Sequence, residues 1–95
     1  MKKSSGNVFE DLGFPKEEAA HLLIRADLMS QLKRVIDSRG LTQKEAAKAL
    51  GVSQPRVSDL VRGRIGLFSI DMLVEMLAHL GVAVTVTTKR RPRVA

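Results

Sequence analysis

The sequence predicts an all-α fold, a bundle of about four to five helices, with one β-strand near its C-terminal end. Apolar residues recur at three- and four-residue spacing through most of residues 15–80. Glycines at positions 40, 51, 63 and 81 cut that pattern into helix-length pieces. The period then drops to two, with Val82, Val84 and Val86 alternating with Ala83, Thr85 and Thr87.

Residues 1–14 read as a flexible N-terminal arm, polar at first and then carrying Val8, Phe9 and Leu12. Pro15 suits the first turn of a helix, where its missing N–H is not needed. Glu17 and Glu18 follow, placed well for the positive end of the helix dipole. Ile24, Leu28, Leu32 and Val35 or Ile36 then mark one buried face, and Arg39-Gly40 supplies a cation and a glycine to end it. One long helix over residues 15–38 is expected, with a break near Ala26 and Asp27 as the alternative.

Thr42-Gln43-Lys44-Glu45 matches a capping box, in which the threonine hydroxyl and the glutamate carboxylate each take an amide of the other's residue. The helix it starts, residues 43–50, is short, alanine-rich and stopped by Gly51. Ser53 caps the next, residues 54–61 or 62, with Pro55 in the first turn where proline is tolerated and Gly63 at the far end. Ser69 begins a fourth helix over residues 70–80, with Asp71 in its first turn and Leu73, Val74, Leu77 and Leu80 on its inner face.

With 95 residues there is room for one small domain and a single core. Aromatic residues make up 3% of the chain, so that core must be aliphatic. The absence of cysteine excludes disulfides and thiolate zinc sites, and fits a cytoplasmic protein. Apolar runs are too short to cross a bilayer, and Met1-Lys2-Lys3 leads into Ser-Ser-Gly-Asn, so no signal peptide is expected. His21 and His79 lie on separate helices without convergent carboxylates, so neither a metal nor a cofactor is expected. No nucleophile–base pair or phosphate loop is present, and no enzyme is expected.

The formal net charge of +6 is unevenly placed. Residues 39–66 carry Arg39, Lys44, Lys48, Arg56, Arg62 and Arg64 against Glu45 and Asp59. Lys2 and Lys3 lie in front, and Lys89, Arg90, Arg91 and Arg93 behind, while the rest of the chain is net acidic. Positive charge gathered on one third of the chain and its two ends fits a polyanion partner. A plain solvated basic face is the alternative.

The two short helices at 43–50 and 54–62 form a helix-turn-helix. Ala47 sits where a close helix crossing demands a small side chain, and Gly51 sits where the turn calls for a left-handed backbone. Val57 and Leu60 point into the core and leave Gln54, Pro55, Arg56, Ser58, Asp59 and Arg62 outward. A helical hairpin packed for structural reasons alone is the competing explanation. A recognition helix meets base edges with its N-terminal residues, and Ser53 and Pro55 fix that end in place. Glutamine suits adenine and arginine suits guanine. Gln54 is thus expected to contact a base, while base, phosphate and solvent all remain open to Arg56. Asp59 can accept from a cytosine amino group or orient Arg56 or Arg62, and the second is preferred. Gln43 and Lys44 are assigned to phosphate at the start of the first short helix, and Arg62 and Arg64 to phosphate at the end of the second.

TQKEAAKALGVSQPRVSDLVRG resembles the helix-turn-helix of the Xre/Cro class, as in the lambdoid phage repressors. The resemblance implies a lambda-repressor-like bundle of about five helices over residues 26–81. By position, Gln43 is similar to that family's phosphate-contacting glutamine, and Ser53, Gln54, Pro55 and Asp59 fall where base-contacting side chains sit. Pro55 stands in place of a polar reader and can touch a thymine methyl but cannot donate. NVFEDLGFPKEEAAHLLIRADL before this motif and RGRIGLFSIDMLVEMLAHLGVAVTV after it look like the small HigA-type antitoxins. That likeness implies a homodimeric repressor of its own operon that also neutralises a RelE-like ribonuclease toxin.

A lone strand cannot satisfy its own backbone groups. Residues 82–88 are therefore expected to pair with the same strand of a second subunit, with Val8 and Phe9, or with a toxin edge, and the symmetric pair is preferred. Such a dimer would set two recognition helices about 34 Å apart on a palindromic operator. The expected organisation is an arm at 1–14, the DNA-binding domain at 15–81 with its motif at 42–63, a dimerisation strand at 82–88 and a disordered basic tail at 89–95. The alternatives are a stand-alone or prophage regulator without a toxin, and a module whose main role is protein interaction.

Overall fold

The computed structural model describes residues 6–90. Five α-helices run in the order α1 (Val8–Asp11), α2 (Lys16–Ser38), α3 (Gln43–Leu50), α4 (Gln54–Val61) and α5 (Ile70–His79), with a 3-10 turn at Ile65–Leu67 before the last. The helical bundle expected from spacing is therefore present. Helix α2 is its spine, unbroken at Ala26 and Asp27, and α1, α4, the 3-10 turn and α5 all pack on it.

Local chemistry sets the helix ends. Thr42 and Glu45 close both halves of the capping box, with Thr42 N–H donating to Glu45 Oε1 at 2.9 Å and Glu45 N–H to Thr42 Oγ1 at 3.1 Å. The Ser53 and Ser69 hydroxyls accept from the Arg56 and Met72 amides at 3.3 and 3.1 Å. Arg39 reaches from the end of α2 to donate to the Leu80 carbonyl at 2.7 Å, which occupies an acceptor left open where α5 ends.

The core is aliphatic with one aromatic. Phe68, Leu32, Leu50, Leu73, Leu77 and Val57 are its largest fully buried side chains. Leu28, Leu32 and Ile36 lie on the inner face of α2 as their spacing predicts, joined by Met29. Ile24 does not, and is 49% exposed. Helix α5 is 10 residues long against 23 in α2, and Ile24 sits on the rim of a groove beside the C-terminal segment. On α5, Met76 is buried and Val74 is not, the reverse of the sequence-based assignment for Val74.

The N-terminal segment departs from the expected arm. Asn7 is buried; its Oδ1 accepts from the Phe9 and Glu10 amides at 3.0 and 3.3 Å, and its Nδ2 donates to the Ala19 carbonyl at 3.1 Å. One side chain thus caps α1 and ties it to α2. The Phe9 and Phe14 rings meet edge to face at 6.2 Å. The rest of the expected arm, residues 1–5, lies outside the described residues.

The expected strand at 82–88 is not formed, and no strand exists among the described residues. After the Val82 N–H, which donates to Leu77 O at 2.9 Å, this segment makes no backbone hydrogen bond among the described residues. A strand needs a neighbour's backbone groups, and the described residues supply none here. The alternation of side chains survives without it: Val82 and Val84 pack against the core, whereas Val86 is 82% exposed. Lys89 and Arg90 are exposed and without secondary structure, and the rest of the predicted tail, residues 91–95, lies outside the described residues.

Leu32 has no exposed surface and stands at the centre of this core. Leu32→Ala should lower the unfolding free energy in urea by about 2–5 kcal/mol. Asn7→Ala should instead raise hydrogen exchange in residues 8–14 while α3 and α4 keep their protection.

Candidate nucleic-acid interface

Helix α3 packs on α4 and on α5, and its small residues Ala46 and Ala47 are both buried. Gly51 links α3 to α4 with φ 70°, the left-handed value anticipated for the turn. A Cβ at that position would come within 3.3 Å of the His79 ring, a tight contact that adds to the preference for glycine set by the backbone conformation. That ring is a feature the sequence did not announce: it lies in the last turn of α5 and backs the turn from the far side.

The side chains predicted to face a duplex divide into three groups. Gln43 and Lys44 at the start of α3, and Ser53, Gln54 and Pro55 at the start of α4, are exposed. Ser58 and Asp59 are half-buried along α4, and Arg62 and Arg64 are exposed beyond its end. Arg56 stands apart. Its Nη1 donates to the Leu67 carbonyl at 3.1 Å and its guanidinium lies 5.5 Å from the centre of the Phe68 ring. It is turned toward the α4–α5 loop, contrary to the outward placement expected on α4.

Asp59 orients an arginine, but the partner is Arg64 and not Arg56 or Arg62. Oδ1 of Asp59 lies 3.9 Å from Nε of Arg64, and the Arg64 amide also donates to the Asp59 carbonyl at 3.0 Å. Gly63, with φ 72°, reverses the chain so that residue 64 comes back to residue 59. The Arg64 side chain is 55% exposed, so the ion pair contributes little stability and leaves the guanidinium open to solvent.

Two further arginines bond in ways that sequence alone did not indicate. Arg25 of α2 donates through Nη1 to the Ile65 and Phe68 carbonyls at 3.3 and 3.4 Å. Arg39, counted above with the basic third of the chain, is committed to Leu80. A cation at helical spacing from the buried Leu22 and Met29 was the available signal for Arg25, but its acceptors lie 40 and 43 residues away. Lys48, in the last turn of α3, is exposed and adds to the outward charge. Val82, Val84 and Val86, predicted as the dimer strand, lie away from this surface along α2 and α5. No cluster of metal-ligating side chains occurs among the described residues, and no helix there is long and apolar enough to cross a membrane.

A family profile described as a helix-turn-helix domain matches residues 8–89. A solved structure of a protein assigned to the XRE family of transcriptional regulators superposes with a TM-score of 0.73 at 33% identity, covering 80% of this chain and 85% of that one. No curated protein matches the chain. Fold, turn and motif define the class, a helix-turn-helix protein. Within that class the chain belongs to the XRE family.

The Thr42 amide, and after it the Thr42 hydroxyl, hold the Glu45 carboxyl below its ordinary range. A lowered folded-state value means that the contribution of this cap is complete above the ordinary unfolded value and is lost as pH falls through the folded one. Glu45→Gln should therefore flatten the decline of melting temperature between about pH 5 and pH 3. Thr42→Ala should cost about 1 kcal/mol in urea unfolding at neutral pH.

Proposed function

We propose that the chain is a sequence-specific transcriptional repressor that binds a palindromic operator as a homodimer. It acts by binding alone, in the cytoplasm on nucleoid DNA, without catalysis. The exposed first turn of α4 carries this proposal: Gln54 and Pro55 project from a helix start that the Ser53 hydroxyl holds in place. A donor–acceptor amide on a fixed helix end is suited to an adenine edge, and a proline ring to a thymine methyl. Arg62 and Arg64 at the other end, and Gln43 and Lys44 on α3, supply the flanking phosphate contacts. The open backbone of residues 83–88, with Val86 exposed beside it, supports pairing with a second copy.

A second reading, that the chain is an antitoxin whose partner is a RelE-like toxin, draws support from the N-terminal segment. Val8, Leu12 and Phe14 there are 56%, 71% and 39% exposed; Glu10 and Asp11 lie among them in the sequence, and Glu17 and Glu18 follow. Exposed apolar residues interspersed with acids suit a basic protein partner. Co-expression with the adjacent gene should then yield a complex that survives purification. A neighbour that elutes alone would leave a stand-alone regulator.

Selection from a random duplex pool should return a two-fold symmetric site with half-sites about 10 base pairs apart. A pool that shows no enrichment would remove the case for sequence reading. On the selected site, affinity should fall with salt at a log–log slope of about −0.9 per phosphate contacted. Gln54→Ala should relax preference at one position at a cost of roughly 1–3 kcal/mol, whereas Arg62→Ala should weaken every duplex alike. Val86→Asp should shift sedimentation equilibrium toward monomer and weaken operator binding without altering the helical circular dichroism. A dimer of unchanged stability would exclude this segment from the interface.

A further inference from the structure

Arg56 occupies the first turn of α4, beside Gln54 and Pro55, yet its side chain runs back across the molecule to the loop between α4 and α5. That loop covers residues 62–69 and contains Arg62 and Arg64, the two exposed cations at the end of α4. Its backbone is held by arginines arriving from two helices. Arg25 takes the Ile65 and Phe68 carbonyls, and Arg56 takes the Leu67 carbonyl while lying over the Phe68 ring. Phe68 itself is 2% exposed and anchored in the core, so the surface on which Arg56 rests does not move.

A short path of bonds joins Arg56 to the charges beyond α4. The Leu67 N–H donates to the Arg64 carbonyl at 3.1 Å, on the same peptide-linked residue whose own carbonyl Arg56 engages. The Arg64 amide returns to Asp59 on α4. The loop is thereby closed at both ends on one helix, through Asp59 at one end and Arg56 at the other. We propose that Arg56 is a positioning residue: it holds this loop, and with it Arg62 and Arg64, in register with α4 for phosphate contact and reads no base itself. The proposal rests on the DNA-binding function proposed above.

The chemistry of the site distinguishes this role from a direct contact. A guanidinium 5.5 Å from the centre of the Phe68 ring, with one nitrogen on a carbonyl, serves the loop through shape as well as charge. A direct phosphate contact also uses both. Exchange in the loop and the double variant therefore separate it from positioning, and full rescue by lysine would show that charge suffices. A direct guanine contact is confined to one base pair.

Duplex binding by wild type, Arg56→Ala, Arg56→Lys, Arg64→Ala and the Arg56→Ala/Arg64→Ala double variant tests this, on the selected site and on its single-base variants. Arg56→Ala should weaken all of these duplexes by a similar factor, roughly tenfold, and preserve the order of base preferences. The double variant should be weakened at least about threefold less than the product of the single effects, because both changes disable the same loop contacts. Amides at residues 64–68 should exchange faster in Arg56→Ala while those of α3 and α5 remain protected. Arg56→Lys, which keeps charge and a donor, should restore the fold fully and binding only in part. Loss of preference at one base pair alone would make Arg56 a base reader and overturn the proposal. So would additive effects in the double variant, full binding by Arg56→Lys, or unchanged binding by Arg56→Ala. Wild-type protein that binds selected and scrambled duplexes equally would instead fail the proposed function, a separate outcome from these.

Discussion

The candidate interface depends on the turn at Gly51. Its φ of 70° turns the chain between α3 and α4, and the His79 ring lies within 3.3 Å of where a side chain would begin. A larger residue there meets backbone strain first, and then a close contact with that ring. Ala46, Ala47 and Leu50 of α3 and Val57 of α4 are buried in the core that both helices share. Because the Ser53 cap belongs to the helix so placed, the direction in which Gln54 and Pro55 project follows from the turn and not from their own side chains.

The arginines of this chain do two kinds of work, and composition alone cannot separate them. Arg25, Arg39 and Arg56 donate to backbone carbonyls at 2.7–3.4 Å, the first two across 40 residues or more and Arg56 to the turn that follows its own helix. A guanidinium suits this because its fixed fork can span acceptors that no helix or strand would satisfy. Arg62 and Arg64, with Lys44 and Lys48, remain exposed. A bond to a neutral carbonyl leaves each guanidinium charged, so Arg25, Arg39 and Arg56 still add to the field of the protein while their positions are fixed by the fold. The exposed cations are the ones whose side chains can reach a phosphate and so set register.

What was legible in the sequence is what neighbouring residues decide. Thr42 and Glu45 close their box across three residues, Ser53 and Ser69 cap from one turn away, and Gly51 takes the left-handed conformation its place demands. Gln54, Pro55 and Arg62 are exposed as their places in the motif suggested. Ser58 and Asp59 are half-buried, and Arg56 turns to an acceptor 11 residues on in a loop without periodicity. Helix α1 was missed because four residues carry too little pattern, and its anchor is a single asparagine bound to Ala19 across 12 residues. Ile24 and Val74 kept the right spacing but lie along a groove that the C-terminal segment only partly covers. The period of two held for side chains only as far as Val82 and Val84, which pack inward while Ala83, Thr85 and Val86 are exposed. Hydrogen-bond pairing needs a second segment, which the described residues do not supply.

Helix α2 explains how these parts remain one object. Ala19 on its first turns receives Asn7, Arg25 grips the loop after α4, Leu28 and Leu32 enter the core, and Arg39 just past its end reaches α5. Between Ile24 and Gln31 the same helix forms one wall of the groove along which residues 82–87 lie, a space of about 540 Å³. A second chain seated against that segment would thus rest on the helix that also holds the α4–α5 loop. The distance between two recognition helices in such a pair would be set by a continuous helix of about 35 Å and not by a flexible linker. Operator spacing would then be a consequence of core packing, because Leu28 and Leu32 fix how α2 lies against α5 and so where each α4 stands relative to the shared segment.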